Sequence, residues 1–442
     1  MSASHDSWGR TRRVERRATR SLRPLAEGGS CLPFGNGRSY GDSCHNDRGT
    51  LLDRRGDAGI LSFDTQSGVI RARAGTMLAD LVALALPRGL FPPVVPGTRF
   101  VTLGGAFAND VHGKNHHRRG TFAAHVERFR LDRSDGTTIV ERGDPLFTTT
   151  AGGMGLTGVI RWLDIRMMRV PGGALAQRAT PFASLDGYFE RSGDADAEHE
   201  YSVAWIDALA TGKGLGRGVL LSGDHCEGDA RIAARPRLSV PFAPPLPLVA
   251  RPTVRAFNPL YAAAQAKRPE RVVPAGTFFW PLDGVAHWNR LYGPRGLHQH
   301  QSVVPLDAAS ALAALLRATQ QADHVSFLTV LKRFGAAPAE GALSFPREGY
   351  TLTLDLPHRG PRTLALLDRL DAITLEAGGR ANAYKDGRML AATFQRGFPR
   401  WGEVEAARDP VMMSDFWRRC ASRAVVDAPS LEPEPAREDA VA

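Results

Sequence analysis

Histidines and basic residues cluster between residues 108 and 120, in the sequence ANDVHGKNHHRRG. The cluster contains His112, His116 and His117, which could ligate a metal, bind an anion or line a cofactor. Gly113 disfavours a helix that would align these histidines, and no cysteine or carboxylate cluster adjoins them. We therefore expect no metal here. We expect His112 to face a cofactor and residues 116–119 to form a basic margin that a substrate phosphate approaches.

Lysine is rare in this chain. Of the 56 basic Lys and Arg residues only five are lysines, namely Lys114, Lys213, Lys267, Lys332 and Lys385. A GC-rich genome accounts for many arginines. Burial can lower the pKa of a lysine into a useful range, whereas arginine stays charged. Each lysine is therefore a candidate for proton transfer.

The net charge of +10 favours an anionic partner. Nucleic acid is not expected, because aromatic residues make up only 8% of the chain and the arginines beyond the N-terminus form no stripe. Phosphorylated small molecules and acidic lipids remain as candidate partners.

Three glycine-rich segments could approach a ligand through the backbone. The first is FGNGRSYGD at 34–42, whose exposed N–H groups can hold a pyrophosphate. The others are PGTRFVTLGGAFA at 96–108 and HGKN at 112–115, where small residues admit a flat ligand. A further G-x-G-x-x-G at 153–158 precedes a strand pattern and no helix, so it is not a nicotinamide-dinucleotide fingerprint.

In this order and spacing, the motifs resemble the vanillyl-alcohol-oxidase (PCMH-type) flavoproteins. The chain is most similar to their FAD-dependent oxidase subunits of decaprenylphosphoryl-β-D-ribose 2′-epimerases, over nearly its whole length. The matching segments are GRSYGD (37–42), PGTRFVTLGGA (96–106), DVHGKNHH (110–117), GLTGVI (155–160), AWIDA (204–208), NRLYGPRGL (289–297), LSFP (343–346) and YKDGR (384–388).

The resemblance implies a function. Such an enzyme oxidises the 2′-hydroxyl of a polyprenyl-phosphoryl-β-D-ribofuranose to the 2′-keto sugar, with FAD as cofactor. A separate NAD(P)H-dependent short-chain reductase then completes the epimerisation to the arabinose form. An aldonolactone or alditol oxidase acting on a soluble sugar is the alternative. The histidine that anchors FAD covalently in some superfamily members falls near Arg38, so the resemblance implies noncovalent FAD.

The resemblance also implies site residues. The FAD contacts would be Phe34, Gly35, Asn36, Gly37, Arg38, Ser39, Tyr40, Gly41, Asp42, Gly97, Thr102, Leu103, Gly104, Gly105, Ala108, His112, Gly113, Asn115, Ile160 and Lys385. The sugar pocket would contain Tyr40, Trp205, Tyr292, Gln299, Gln301, Lys332 and Thr353. Alcohol oxidation needs a base for the hydroxyl proton and a cation near the reduced flavin. We expect Lys385 and His112 to share these two roles.

The sequence departs from the family at three positions. Thr353 stands where well-known members carry a cysteine near the flavin, so electrophiles that trap this cysteine should not trap this protein. Asn382 replaces a tyrosine and Asn109 replaces a second cysteine. These changes bear on the substrate more than on the cofactor.

The predicted elements that must position these residues are typical of an α+β protein. Strands are predicted at 69–73, 158–168, 325–332, 350–356 and 381–384, with a hairpin at 127–141. Helices are predicted after Thr76, which would cap the first of them, and at 308–319 and 363–376. In the stretch 297–301 (LHQHQ), strand alternation would turn either the two histidines or the two glutamines towards the ligand, and the resemblance implies that Gln299 and Gln301 point inward. An edge strand with all four side chains solvated would show the same pattern.

The resemblance gives the fold class as α+β, with a PCMH-type two-subdomain FAD-binding domain and an α+β substrate domain containing an antiparallel sheet. The predicted parts are a basic arm (1–24), the FAD-binding domain (25–171), the substrate domain (172–379), a C-terminal return to the FAD domain (380–426) and a disordered tail (427–442).

Two segments stand out by composition. Residues 10–23 hold seven arginines, typical of a solvated basic helix or of an arm that touches an acidic membrane. Residues 236–274 hold nine prolines with apolar residues between them, which suggests a mobile lid for a lipid-like phosphate ligand or a poorly ordered linker.

The cellular location is predicted from what the sequence lacks. Its four cysteines are widely spaced, no 18-residue apolar run occurs, and no apolar segment follows the N-terminal arginines. We expect a cytoplasmic protein, with peripheral contact to the inner membrane as a further option.

Overall fold

A computed structural model describes residues 5–229, 232, 236 and 238–421. The N-terminal part contains a five-stranded antiparallel sheet. In spatial order its strands are Ile60–Asp64, Val69–Arg73, Val159–Arg166, Val126–Arg133 and Gly136–Glu141. Beside it lies a three-stranded parallel sheet of Ala18–Thr19, Thr50–Asp53 and Cys31–Phe34.

The C-terminal part is built on an eight-stranded antiparallel sheet. Its strands in spatial order are Glu270–Pro274, Ala174–Phe182, Gly218–Cys226, Tyr201–Ile206, Val330–Phe334, Gly349–Pro357, Leu297–Val304 and Arg380–Ala381. Two short pairs complete the strands, Leu90–Phe91 with Met168–Arg169 and Leu238–Ser239 with Val285–Ala286. The mixture of helices and antiparallel sheets confirms the α+β class. The predicted domain boundaries at 171 and 379 remain predictions.

The helices cover the sheets. Their bounds are Arg23–Ala26, Leu78–Ala85, Leu103–Ala108, His116–Arg119, Pro145–Thr150, Leu185–Glu198, Arg251–Ala266, Ala275–Phe279, Ser310–Gln321, Pro361–Glu376, Ala391–Gly397, Trp401–Ala407 and Asp415–Cys420. Within the described part of the chain, none of them is long and apolar enough to cross a bilayer.

One face of the eight-stranded sheet is core and the other is not. In Gly349–Pro357, Leu352, Leu354 and Leu356 pack with leucines of Ser310–Gln321 and Pro361–Glu376. Successive side chains of a strand point to opposite faces. The polar residues between these leucines therefore point to the other face, where they are also buried.

Most predicted elements are present, with local corrections. The expected helix cap at Thr76 is wrong, because Met77 occupies the cap and the Thr76 hydroxyl binds the backbone of Gly59 instead. The strand expected from 325 begins at Val330. The strand expected before Lys385 ends at Ala381, and Ala383–Lys385 form a 3₁₀ turn capped by Asn382.

The N-terminal arm is no solvated helix. Its described part runs extended along the body, and Ala18–Thr19 pair with Leu51–Leu52. The Arg16 side chain is fully buried and donates to Asp47 at 2.7 Å and to Asp6 at 3.0 Å. The arm is thus part of the fold, since a buried guanidinium is held only where carboxylates neutralise it.

The proline-rich segment is regular in its second part, so the expected loop does not extend over residues 251–274, and a lid or linker stays a prediction for the part before residue 251. Arg251–Ala266 form a helix and Glu270–Pro274 a strand. Pro252 stands in the first turn, where no N–H is needed. Pro259 lies inside the helix, which tertiary contacts stabilise, including a 2.6 Å bond from the Asn258 amide to Asp207. Residues 427–442, the predicted disordered tail, lie outside the described residues.

The buried arginine of the arm gives a stability prediction. Arg16→Ala leaves Asp47 buried with one cation fewer, so we expect the free energy of unfolding to fall by about 3 kcal/mol. Chemical denaturation followed by circular dichroism measures this change. Arg17→Ala, an exposed neighbour, is the matched control and should change it by less than about 0.5 kcal/mol. Equal effects of the two substitutions would contradict the anchoring role of Arg16.

Candidate active site

A cavity of about 700 Å³ lies between the two parts of the chain. Residues 33–40 and 95–114 form one wall, and the polar face of the eight-stranded sheet forms the other. Most of the predicted site residues line it. They are Phe34, Gly35, Asn36, Gly37, Arg38, Ser39, Tyr40, Gly97, Thr102, Gly104, Gly105, Ala108, His112, Gly113, Ile160, Trp205, Gln299, Gln301, Lys332, Thr353 and Lys385.

Strand register brings the sugar-pocket candidates together. Gln299 lies opposite Asp355 and Gln301 opposite Thr353, and on the other side Lys332 lies opposite Thr351. The prediction that both glutamines point inward is confirmed. His300, between them, points the other way and contacts Asp371 at 3.1 Å.

The loop from Gly35 to Gly41 presents unpaired backbone donors. None of its N–H groups donates a hydrogen bond to a described residue. Arg38 lies over the ring of Trp8 at 4.2 Å, with its Nε buried and without a described partner. Such a row of free amides beside a guanidinium suits a pyrophosphate.

Three of the five lysines line the cavity, namely Lys114, Lys332 and Lys385, whereas Lys213 and Lys267 are exposed. Burial lowers the pKa of all three. Burial alone lowers that of Lys114 to about 7, and its ammonium donates to the carbonyl of Phe278. Since a buried charge is costly, these lysines are poised to lose protons or to meet an anion.

A chain of hydrogen bonds fixes the protonation of His112. The backbone N–H of Tyr384 donates to Asn382 Oδ1, so the Asn382 Nδ2 group donates to Gln301 Oε1 at 3.0 Å. Gln301 Nε2 must then donate to His112 Nε2, 3.2 Å away. A neutral imidazole carries its proton on the other nitrogen.

It follows that Lys332 is a neutral amine. His112 Nδ1 carries the proton and lies 3.1 Å from Lys332 Nζ, which therefore accepts it with its lone pair. Lys332 also donates to the carbonyl of Gly113 at 3.2 Å. In agreement, burial and then Lys385 hold the pKa of Lys332 well below its usual value. Burial likewise holds the pKa of His112 well below its usual value.

Lys385 and Asp355 both line the cavity and interact electrostatically, without a direct hydrogen bond or ion pair between their side chains. Asp355 is fully buried, and its side chain accepts from the amide of Gln299. Burial raises the pKa of Asp355 and lowers that of Lys385, while the carboxylate acts on Lys385 in the opposite direction and raises its pKa. The charged form of each group therefore favours the charged form of the other.

Comparisons with known proteins agree with this geometry. The FAD binding domain family matches residues 24–141. Decaprenylphosphoryl-beta-D-ribose oxidase of Mycolicibacterium smegmatis is 34% identical over 418 residues, which cover 90% of each chain. The chain belongs to this oxidase family. An uncharacterised protein of Streptomyces coelicolor is 36% identical over 77% of this chain and 99% of its own. D-lactate dehydrogenase of Anaerostipes hadrus is 26% identical over a quarter of each chain.

The protein is accordingly an FAD-dependent oxidase, and its cavity fits the cofactor. The free amides of residues 35–41 and Arg38 suit the two phosphates, and the small residues Gly97, Gly104 and Gly105 leave room for a flat ring system. Lys114, on the wall formed by residues 95–114, can supply the positive charge that a reduced flavin requires.

Five predicted site residues do not line the cavity, so their predicted placement is corrected. Gly41 packs on the backbone of Asp386, and Asp42 pairs with Arg419. Leu103 is core. Asn115 is buried and donates to the carbonyl of Pro93 at 2.8 Å and to Glu200 at 3.0 Å. Tyr292 belongs to an apolar cluster behind Tyr40.

The basic margin predicted at 116–119 is also displaced from the cavity. His116 is buried against the ring of Phe334 at 4.6 Å, and Arg119 pairs with Glu200 at 2.8 Å. Arg118 donates to the carbonyl of His199 at 2.9 Å. These side chains hold the loop against His199 and Glu200, away from the cavity.

The sequence reasoning missed several wall residues. Asp355 accepts from Gln299 and Asn382 donates to Gln301, and Trp8 and Trp288 close one end of the cavity. The sequence contained a signal for Asp355, because this residue lies two positions after Thr353 on the same strand and therefore on the same face. Trp8 had none, because only the path of the arm brings it there.

Gly41 and Gly97 differ in what a side chain at their positions would contact. A Cβ at Gly41 would lie 1.7 Å from the Asp386 carbonyl oxygen, whereas one at Gly97 would meet nothing within 4 Å and point into open space. We expect Gly41→Ala to lower the free energy of unfolding of the apoprotein by about 3 kcal/mol. Gly97→Ala should leave apoprotein stability unchanged but weaken FAD binding. Denaturation of both apoproteins and flavin titration measure these effects. A stable Gly41→Ala apoprotein would refute the packing assignment.

Proposed function

We propose that this FAD-dependent oxidase acts on the 2′-hydroxyl of a polyprenyl-phosphoryl-β-D-ribofuranose and gives the 2′-keto sugar. The Lys385–Asp355 pair carries the proposal, because it faces a cavity whose opposite wall offers a free-amide loop for FAD. The substrate named for the Mycolicibacterium relative, decaprenylphosphoryl ribose, gives the substrate class. The product would pass to a separate NAD(P)H-dependent short-chain reductase for epimerisation to the arabinose form.

The residues support a division of labour. Bound FAD supplies the hydride acceptor for the hydrogen on C2′. Lys385, whose pKa is lowered by burial, takes the hydroxyl proton as a neutral amine, and Asp355 stabilises the ammonium that results. Gln299 orients Asp355.

His112 has a different part. Its pKa lies well below the usual value, so it is a poor proton acceptor. It is a neutral side chain on the cavity wall, held in place by hydrogen bonds with Lys332 and Gln301. Of the two catalytic residues predicted from the sequence, Lys385 is therefore the base we propose.

FAD is proposed to bind noncovalently, since Arg38 stands where a histidyl anchor would be. Peripheral contact with an acidic membrane would give access to a lipid substrate. The rival substrates are soluble sugars, alditols and aldonolactones. Anaerobic flavin bleaching separates the two classes: farnesyl-phosphoryl ribose should reduce the flavin, and free ribose, alditols and lactones should not. Reduction by the soluble compounds at equal rate would overturn the substrate assignment.

Loss of Lys385 should abolish fast flavin reduction. We expect Lys385→Ala to slow it by at least about 100-fold, in line with the loss of a general base. Anaerobic stopped-flow absorbance with saturating farnesyl-phosphoryl ribose measures the rate. Lys213→Ala, an exposed lysine, is the matched control and should react like the wild type. A near-normal rate for Lys385→Ala would show that another group takes the proton.

The pH dependence of the reduction rate tests the pair. The neutral amine is the reactive form, so the rate should rise with pH through the pKa of Lys385, which burial places below its usual value. Asp355→Asn removes the carboxylate that raises this pKa, so the inflection should move to lower pH. Asp368→Asn, at an exposed carboxylate, should leave the profile in place. An unmoved inflection in Asp355→Asn would disprove the coupling.

Noncovalent FAD is tested by acid precipitation. All of the flavin should remain in the supernatant and migrate as FAD in chromatography. Position 38 carries an arginine, which cannot form the covalent bond that a histidine forms with the flavin. A yellow pellet would contradict the proposal. The control is a histidyl-FAD oxidase treated identically, whose flavin stays with the precipitate.

A further inference from the structure

Three arginines meet at the end of the cavity that Trp8 and Trp288 close. Arg10 and Arg13 belong to the N-terminal arm, and Arg290 belongs to the 3₁₀ helix Trp288–Tyr292. We call these three residues the arginine margin. His287, which precedes this helix, lines the cavity, so the arginine margin adjoins it.

Backbone contacts hold the two segments together. The N–H of Leu297 donates to the Gly9 carbonyl at 2.8 Å, and the Asn289 amide donates to the Trp8 carbonyl at 2.8 Å. The Arg13 Nη2 group donates to the Pro294 carbonyl at 2.8 Å. The like charges are therefore brought together by the fold, not by flexible side chains alone.

The arginine margin is not neutralised within the described residues. Many other arginines of the chain, Arg16 among them, form ion pairs with aspartate or glutamate. Arg10, Arg13 and Arg290 form no ion pair with a described acidic residue. Arg10 Nη1 is buried without a described hydrogen-bond partner, and Arg290 Nη1 meets only the carbonyls of Val240 and Pro241.

The electrostatics agree with this geometry. Burial lowers the pKa of Arg10, and Arg13 and Arg290 lower it further, whereas Asp6 opposes them. Asp6 is itself engaged by Arg16. Burial and then Arg290, Arg38 and Arg10 lower the pKa of His287. A set of cations that repel one another is stabilised when an anion binds among them.

An exposed apolar strip begins where Arg290 is held. Its large side chains are Leu238, Phe242, Leu246 and Leu248, which are 68%, 69%, 75% and 53% exposed. Leu238–Ser239 pair with Val285–Ala286, of which both line the cavity, and Leu248 N–H donates to the Leu291 carbonyl. The strip thus continues outward from the same end of the cavity, and exposed apolar surface of this kind marks a contact with an apolar partner.

We propose that the arginine margin binds the phosphate of an isoprenoid phosphate, whose hydrocarbon chain lies on residues 238–248. The inference rests on the proposed function and deepens it. The sugar enters the cavity, the phosphodiester stays at the arginine margin, and the chain leaves along the strip. This arrangement replaces the phosphate approach predicted at residues 116–119.

Binding of farnesyl phosphate, which carries no sugar, tests the site apart from oxidation. Isothermal titration of the FAD-loaded protein compares farnesyl phosphate with farnesol and inorganic phosphate. We expect Arg10→Gln and Arg290→Gln each to weaken farnesyl phosphate binding by about tenfold, the loss of one charge-assisted contact, and to leave farnesol binding unchanged. Inorganic phosphate should bind more weakly than farnesyl phosphate and lose affinity in the same variants.

Matched control variants distinguish loss of the phosphate site from misfolding. Arg17→Gln removes the same charge from an exposed position of the same arm and should bind like the wild type. Arg290→Lys keeps the charge and should recover part of the affinity. Flavin content and the thermal unfolding midpoint of each variant show that the fold is retained.

Each outcome decides between the alternatives. Unchanged affinity in Arg10→Gln/Arg290→Gln overturns the phosphate site, and so does a wild type that binds farnesol as tightly as farnesyl phosphate. Inorganic phosphate that binds as tightly as farnesyl phosphate overturns the role of the strip. Arginine-dependent binding without oxidation of farnesyl-phosphoryl ribose upholds this site and rejects the proposed substrate. Oxidation with an unchanged KM in the double variant keeps the substrate and rejects the site.

Discussion

The site depends on the direction of one hydrogen bond, from the backbone N–H of Tyr384 to the side chain of Asn382. A backbone amide can only donate, so it determines which end of the Asn382 amide faces Gln301. That orientation passes through Gln301 to His112 and ends at Lys332. A distant turn thereby decides that the deepest lysine is neutral. The cavity can hold three lysines because not all of them need be charged at once.

The eight-stranded sheet makes this chain of contacts possible. Its strands place leucines on the helix-covered face and polar residues on the cavity face, in a two-residue alternation. Residues from three neighbouring strands, Gln301, Thr351 and Lys332, are then neighbours across the register, although they are far apart in sequence. A slip of one residue in Val330–Phe334 would turn Leu331 into the cavity and Lys332 into the core, so hydrophobic packing and site geometry enforce the same register.

The sequence predicted the parts of the site that local chemistry determines. Glycine-rich loops and rare lysines are signals that lie within a few residues, and the resemblance to the family placed the glutamines of LHQHQ on the second wall. The sequence did not predict Asp355 as a partner of Lys385, nor Trp8 as a wall, because these contacts join segments that only the tertiary fold brings together. The same limit explains the error at Gly41. A glycine that admits a cofactor and a glycine that admits a neighbouring backbone look alike in one sequence. The helix Arg251–Ala266 was not predicted for another reason, since tertiary contacts such as Asn258 with Asp207 outweigh the helix-breaking tendency of Pro259.

The close backbone contact at Gly41 fixes the position of the loop 35–41 relative to Lys385. Asp386 follows Lys385 directly, and its carbonyl lies where a side chain at Gly41 would stand. Beside this contact, Arg419 pairs with Asp42, and it comes from a helix whose buried side chains pack with Phe34 and Tyr384. The free amides of one wall and the base candidate of the other are thus fixed to each other through backbone contact, with no flexible side chain between them. Because hydride and proton leave neighbouring atoms of one alcohol, an acceptor held by the loop and a base held by the turn must keep a constant separation. A backbone contact secures that separation better than an ion pair, since it has no side-chain torsions to relax.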